Sequence, residues 1–272
     1  MNVKLIACDI DGTLLDDKKN ISKEMLDTIN LLKSYNIIFV LITGRNDIYV
    51  RGLAKNIGVI APIVACNGAL IREVLSKKII YKQFLNERKV RNIIEYCLKN
   101  KYDFTLSSCD IMYCAYYSRR VNIFYEYNKH IQNNEDKILI KKVYSVDDID
   151  IKKIFKIFLW QLSKEQEKEF CNIFNDKNIC IVSSEKGGID ITSKDINKGS
   201  AVKFLVNYYG LSLDDVAVFG DNYNDISMLK LTKNSFAMGN AEEKVKKVAN
   251  FIIDTNNKNG VAKAIKKYIL GK

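Results

Sequence analysis

Leu5-Ile6-Ala7-Cys8-Asp9-Ile10-Asp11-Gly12-Thr13-Leu14-Leu15 opens on an unbroken apolar run and ends in a turn that carries two carboxylates. A short run without alternation predicts a strand covered on both faces, as in a parallel sheet. Asp9 and Asp11 then stand at the carboxyl end of that strand, where open α/β sheets bind their ligands. Side chains two apart on extended backbone point the same way, so both carboxylates can face one crevice, and Gly12 lets the chain turn sharply away. A turn or a helix cap needs only one such residue. Two buried carboxylates repel unless a cation lies between them, so the pair is read as chemistry.

The same grammar continues outward. A helical pattern at 22–35, an apolar run at 37–42, a helix at 46–56 and a run at 63–66 read as strand and helix in alternation, followed by a hairpin at 69–72 and 78–81. It returns near the C-terminus with a run at 190–192, a helix at 198–209, a strand at 216–220, a helix from Asn222, a strand at 235–238, a helix at 242–249, a strand at 251–253 and a last helix to Leu270. The expected fold is α/β: a doubly wound, Rossmann-like parallel sheet built from residues 1–82 and 188–272. Between them, residues 83–187 bring aromatic strands at 102–106, 111–116, 154–162 and 179–183 with helices at 87–100 and 164–174, which predicts an inserted α/β cap domain. The polar stretch 128–150 reads as a helix end, a loop and a short strand.

Composition narrows the function. The net charge of +11 comes from 43 Lys+Arg against 32 Asp+Glu, but the lysines are spread along the chain. With no zinc-finger or RNA-recognition signature, they read as a solvated surface and not as a nucleic-acid arm. Such a field still draws small phosphorylated anions toward a cleft. Seven cysteines, an odd number without a Cys-x-x-Cys pair, argue against a disulfide framework and a zinc site. The first apolar run is too short for a signal peptide and no later one is long enough to span a bilayer, so a cytoplasmic protein without a membrane partner is expected. His130 is the single histidine and lies far in sequence from every motif, which leaves no Ser-His-Asp or Cys-His arrangement.

A second acidic cluster, Gly220-Asp221-Asn222-Tyr223-Asn224-Asp225, follows the strand at 216–220. Asp221 would sit at the strand end, with Asp225 one helical turn on and facing the same way. Oxygen donors from two strand ends, with no neighbouring His or Cys, favour a hard ion such as magnesium (Mg2+). Thr43-Gly44-Arg45 after the second strand can offer a hydroxyl and backbone N–H groups to phosphate oxygens, and Lys198-Gly199 before a helix can offer an ammonium.

In this order, Asp9-x-Asp11-Gly12-Thr13, Thr43-Gly44-Arg45, Lys198 and Gly220-Asp221-x-x-Asn224-Asp225 resemble the four motifs of the haloacid dehalogenase superfamily. The large insertion between Thr43 and Lys198, with Asn67-Gly68-Ala69 after the third strand, resembles its Cof-type sugar-phosphatase branch. That branch often carries Glu-Ile and Lys-Gly-Val ahead of the lysine, where this chain has Asp190-Ile191 and Lys194-Asp195-Ile196. The resemblance implies a phosphatase acting on a small phosphorylated metabolite. Asp9 would be the nucleophile, as the chemistry of a slow phosphomonoester hydrolysis also suggests, and Asp11 an acid that becomes a base. Mg2+ would be held by Asp9, Asp221 and the backbone carbonyl of Asp11, with Asp225 orienting Lys198 or a metal-bound water. Thr43, Gly44, Arg45, Asn67, Lys198 and Asn224 would bind the phosphoryl group. Two other readings stand beside it: a phosphotransferase or phosphomutase on the same core, and a catalytically silent basic module that binds nucleic acid.

Overall fold

Continuous burial of the first apolar run is what places β1 (Leu5–Cys8) at the centre of a parallel sheet, with every residue of the strand buried. The computed structural model of the chain describes residues 1–109, 111–185 and 187–272. After β1 the chain forms α1 (Lys23–Ser34), β2 (Ile38–Leu41), α2 (Asp47–Asn56) and β3 (Ile63–Ala65), then the hairpin strands β4 (Leu70–Arg72) and β5 (Ile79–Lys82). Helix starts are written in the sequence. Ser22 accepts the Met25 N–H at 3.1 Å and Asn46 accepts that of Tyr49 at 3.0 Å, caps worth about 1 kcal/mol each.

The middle of the chain gives α3 (Glu87–Lys99), β6 (Asp103–Ser107), β7 (Ile111–Ala115), α4 (Val121–Lys129), β8 (Leu139–Val143), β9 (Lys156–Trp160), α5 (Lys164–Ile173), β10 (Ile179–Glu185) and β11 (Gly188–Ser193). The last part adds α6 (Lys198–Tyr208), β12 (Val216–Gly220), α7 (Ile226–Leu229), β13 (Asn234–Ala237), α8 (Glu243–Lys246), β14 (Phe251–Ile252) and α9 (Gly260–Ala264).

Among the described residues three sheets result. A five-stranded parallel sheet runs β14-β13-β12-β1-β2, and a bridge between Ile42 and Val64 continues it toward β3, which pairs with β4 and β5 in a three-stranded antiparallel sheet. The third sheet is six-stranded, ordered β10-β11-β9-β6-β7-β8, and antiparallel except where β7 runs beside β8. This is the α/β architecture expected, a parallel core with further sheets inserted between its two halves. The chain leaves β1 toward β2 on one side and reaches β12 on the other, so the sheet's switch point lies between β1 and β12.

One expected core strand belongs elsewhere. Residues 190–192 lie in β11, which pairs antiparallel with β9 and β10 in the six-stranded sheet. The reason is legible afterwards: Ile189-Asp190-Ile191-Thr192 alternates, the mark of a strand with one apolar face, and not the continuous run of a parallel core strand. The chain therefore returns to the parallel sheet only after Ser193. The helix end expected at the start of 128–150 is that of α4, whose earlier turns the sequence did not mark because a mixed aromatic and polar pattern leaves only Val121 buried.

Period two sorts the six-stranded sheet into two faces. Phe104, Leu106, Ile157, Leu159, Ile189 and Ile191 pack under α3 and α5. The opposite face presents Thr105, Ser107, Met112, Lys156, Phe158 and Asp190 to a cleft of about 830 Å³ whose other wall is the carboxyl edge of the parallel sheet. Contacts with α2 hold the two walls together: Ile48 joins an apolar cluster with Met112, Val121 and Ile138, the Tyr49 and Tyr127 rings stand 5.0 Å apart, and Lys55 pairs with Asp136 at 2.9 Å. Among the described residues no helix is long and apolar enough to cross a membrane.

Candidate active site

Both acidic motifs meet at the switch point. Asp9 follows β1 and its N–H donates to the Phe219 carbonyl at 3.0 Å, which ties the end of β1 to the end of β12. Asp221 follows β12, and the Thr13 hydroxyl donates to its Oδ1 at 2.7 Å. Carboxylate oxygens of Asp9, Asp221 and Asp225 all lie within 4.8 Å of one another. Gly12 makes the approach possible: its φ of +76° suits glycine, and a Cβ there would stand 2.3 Å from Asp221 Oδ2.

Lys198 enters from the first turn of α6 and is fully buried. Its ammonium donates to Asp9 Oδ1 and, at 2.5 Å, to Asp225 Oδ1. The other Asp225 oxygen accepts the N–H groups of Asp221 and Asn222 at 3.0 and 2.9 Å, so this residue both caps the turn and aims the lysine.

Two buried carboxylates thus pair with one buried ammonium, and the half-buried Asp221 stands beside them. Burial pushes the Asp9 carboxyl up, Asp225 and Asp221 push it the same way, and Lys198 opposes them. Burial and then Asp225 raise Asp221 to about 7, against the Thr13 hydrogen bond. Burial alone would lower Lys198, but the Asp225 and Asp9 carboxylates hold it above the usual lysine range, and it stays charged. Burial and the neighbouring carboxylates also lift the Cys8 thiol, which offers no thiolate at neutral pH. An all-oxygen donor set with excess negative charge fits a hard divalent cation.

Asp11 is held differently. The Arg45 guanidinium donates to both of its oxygens, and Lys19 adds a bond of 2.8 Å. Burial pushes the Asp11 carboxyl up, but Arg45 and then Lys19 outweigh it and bring it down to about 2. Arg45 also lies over the Tyr49 ring at 4.0 Å.

Thr43, Gly44, Arg45 and Asn224 line the cleft beside Asp9, Asp11 and Asp221. Asn67 sits behind them: its amide donates to Asp190 at 2.8 Å, and its oxygen accepts from Asn224 at 3.1 Å. Every residue singled out in the sequence is therefore in or against one cleft, with Asn67 spent on protein partners instead of facing the opening. His130, remote in sequence, is exposed at the end of α4 on the same cleft. Sequence reasoning gave Thr13 and Asp190 no role of their own and missed Lys19 and the polar-face residues Thr105, Ser107, Lys156 and Phe158; strand alternation was the signal that could have found that face.

The profile of the haloacid dehalogenase-like hydrolases matches residues 6–265. The chain belongs to that family. It is 29% identical over 270 residues to the 5-amino-6-(5-phospho-D-ribitylamino)uracil phosphatase YcsE of Bacillus subtilis, covering 99% of this chain and 97% of that one. It is 24% identical to a phosphoglycolate phosphatase of Methanobrevibacter smithii, covering 99% of this chain and 100% of the other. In fold it is similar to BT4131, a sugar phosphatase of subclass IIB in the superfamily, with a TM-score of 0.84 at 22% identity, covering 98% and 99% of the two chains. The chain is accordingly an enzyme, a hydrolase of the phosphatase type, and its acidic cluster suits the divalent metal that such hydrolases generally use.

Proposed function

We propose that this chain is a magnesium-dependent phosphatase acting on small phosphorylated metabolites, either sugar phosphates or phosphorylated cofactors, through an aspartyl phosphate on Asp9. The observation that carries the reading is the convergence of Asp9, Asp221, Asp225 and Lys198 at one switch point, under a cleft roofed by a second sheet. Asp9, Asp221 and the Asp11 carbonyl would hold Mg2+, which supplies neutralisation of phosphoryl charge when bound.

The rest falls to the chain's own groups. An Asp9 oxygen attacks phosphorus while the bond to the leaving oxygen breaks, and Asp11 gives that oxygen a proton. Water then attacks phosphorus, yields its proton to Asp11, and frees Asp9 and inorganic phosphate. Lys198, the Thr43 hydroxyl, the Gly44–Arg45 backbone and Asn224 steady the phosphoryl oxygens, while Asn67 holds Asn224 from behind and Asp225 aims Lys198. In the structure Asp11 is ionised by Arg45 and Lys19. An arriving phosphate competes for those two cations, and once they turn to it burial raises the Asp11 carboxyl toward the acid the first step needs.

The catalytic core comprises residues 1–82 and the chain after Ser193, with the cap between them selecting the leaving group. A cleft of about 830 Å³ is at the large end for small-molecule sites. It suits a leaving group well beyond the size of glycolate. Purified Asp9→Asn protein should release no phosphate from an aryl phosphate, and a chelator should silence the wild type. Activity retained in either case refutes the proposal.

A further inference from the structure

The polar face of the six-stranded sheet carries a charged pair that the reaction above does not use. Lys156 on β9 and Asp190 on β11 are 8% and 2% exposed and pair at 2.5 Å. A buried pair kept for stability alone is as well replaced by apolar side chains of similar volume, because desolvation consumes most of the attraction. This one continues into the loops that line the phosphate pocket. Lys156 Nζ donates to the Gly44 carbonyl at 2.6 Å. Asp190 Oδ2 accepts from Asn67 at 2.8 Å, and Asn67 Oδ1 accepts from Asn224 at 3.1 Å. There is no slack where the branches meet: a Cβ on Gly44 would stand 3.0 Å from Asn67 Oδ1 and 3.2 Å from Asp190 Oδ2. Loops after β2, β3 and β12 are thus indexed from one point on the opposite wall.

We propose that Lys156 and Asp190 are positioning residues, which set the Gly44–Arg45 backbone and Asn224 for phosphoryl binding only when the six-stranded sheet is docked over the cleft. The proposal rests on the phosphatase reading and extends it. Both side chains line the cleft, and each is proposed to act through the core loop it bonds, Gly44 or Asn67. Their effect therefore falls on the phosphoryl half of any substrate, whatever its leaving group.

The test is the double variant Lys156→Met with Asp190→Leu, compared with wild type on acetyl phosphate and on p-nitrophenyl phosphate. It should keep the wild-type melting temperature and circular dichroism, yet lose kcat by the same factor on both substrates, on the order of 100-fold as for a misplacement of about 1 Å. Inhibition by inorganic phosphate should weaken in parallel. Lys156→Arg, which keeps charge and donors, should retain most of the activity. A folded double variant with wild-type kcat and phosphate inhibition overturns the proposal, as does a loss confined to p-nitrophenyl phosphate, which would make the pair a leaving-group contact. Should the double variant not fold, Asp190→Asn takes its place, and wild-type kcat there overturns the proposal equally. If wild-type protein releases no phosphate from either substrate, the phosphatase reading itself fails.

Discussion

Metal binding should be strongly linked to protons between pH 5.5 and pH 8. Burial and Asp225 lift the Asp221 carboxyl from an ordinary 3.8 to about 7. At pH 8 about nine-tenths of that group is ionised and at pH 5.5 about 3%, so Mg2+ meets ~30-fold less competent protein at the lower pH, or about 2 kcal/mol. The upward push on Asp9 steepens the effect. The sign for metal-free protein is the opposite one. The folded chain holds the Asp221 proton more tightly than the unfolded chain, so stability falls as pH rises from ~4 to ~7 and levels off above that. Mg2+ should raise the melting temperature most at pH 8 and least at pH 5.5. Calorimetric titration of Mg2+ into chelator-treated protein, in two buffers of different ionisation enthalpy, measures both the affinity and the protons released. Equal affinity at the two pH values, or no proton release near pH 6, would refute the reasoning that Asp221 is a ligand raised by its neighbours.

Lys198→Met removes the ammonium that pairs with buried Asp9 and Asp225, so chelator-treated protein should lose about 3–5 kcal/mol in urea unfolding at pH 8. The loss should shrink at pH 5.5, where Asp9 and Asp221, both pushed upward, take up protons. Gly12→Ala drives a Cβ to within 2.3 Å of Asp221 Oδ2 from a φ of +76°; Mg2+ affinity and phosphate release should both fall, which titration and a phosphate assay read directly. With Asp11 brought down to about 2 in the free protein, the pH profile of kcat/KM should show no inflection from Asp11 above ~pH 4. Lys19→Met removes one of the two cations responsible and should move that inflection to higher pH.

Elements governed by local rules were readable in advance. The caps at Ser22 and Asn46 and the buried runs of β1, β2 and β12 follow from single-residue chemistry, and the two acidic motifs follow from their strand-end positions. What escaped depends on pairing between distant segments. The hydrogen bond from Asn67 to Asp190 spans 123 residues and that from Lys156 to Gly44 spans 112, and no periodicity encodes such partners. Asp190 was placed in the wrong sheet because three residues of a strand carry too little pattern to show which faces are covered. The low value of Asp11 was likewise invisible, since it comes from Arg45 and Lys19 arriving together in space.

Leu5 hydrogen-bonds beside Val216, and β1 sits between strands drawn from both ends of the sequence. During synthesis, β2 and the whole inserted unit emerge long before the partner that closes the other edge of β1. That edge stays open, a template for stray pairing, until β12 arrives. The inserted unit has its own apolar centre, while the reaction centre is complete only once Asp221 and Asp225 follow β12. Synthesis interrupted between residues 193 and 221 would then leave the roof without the second acidic motif beneath it.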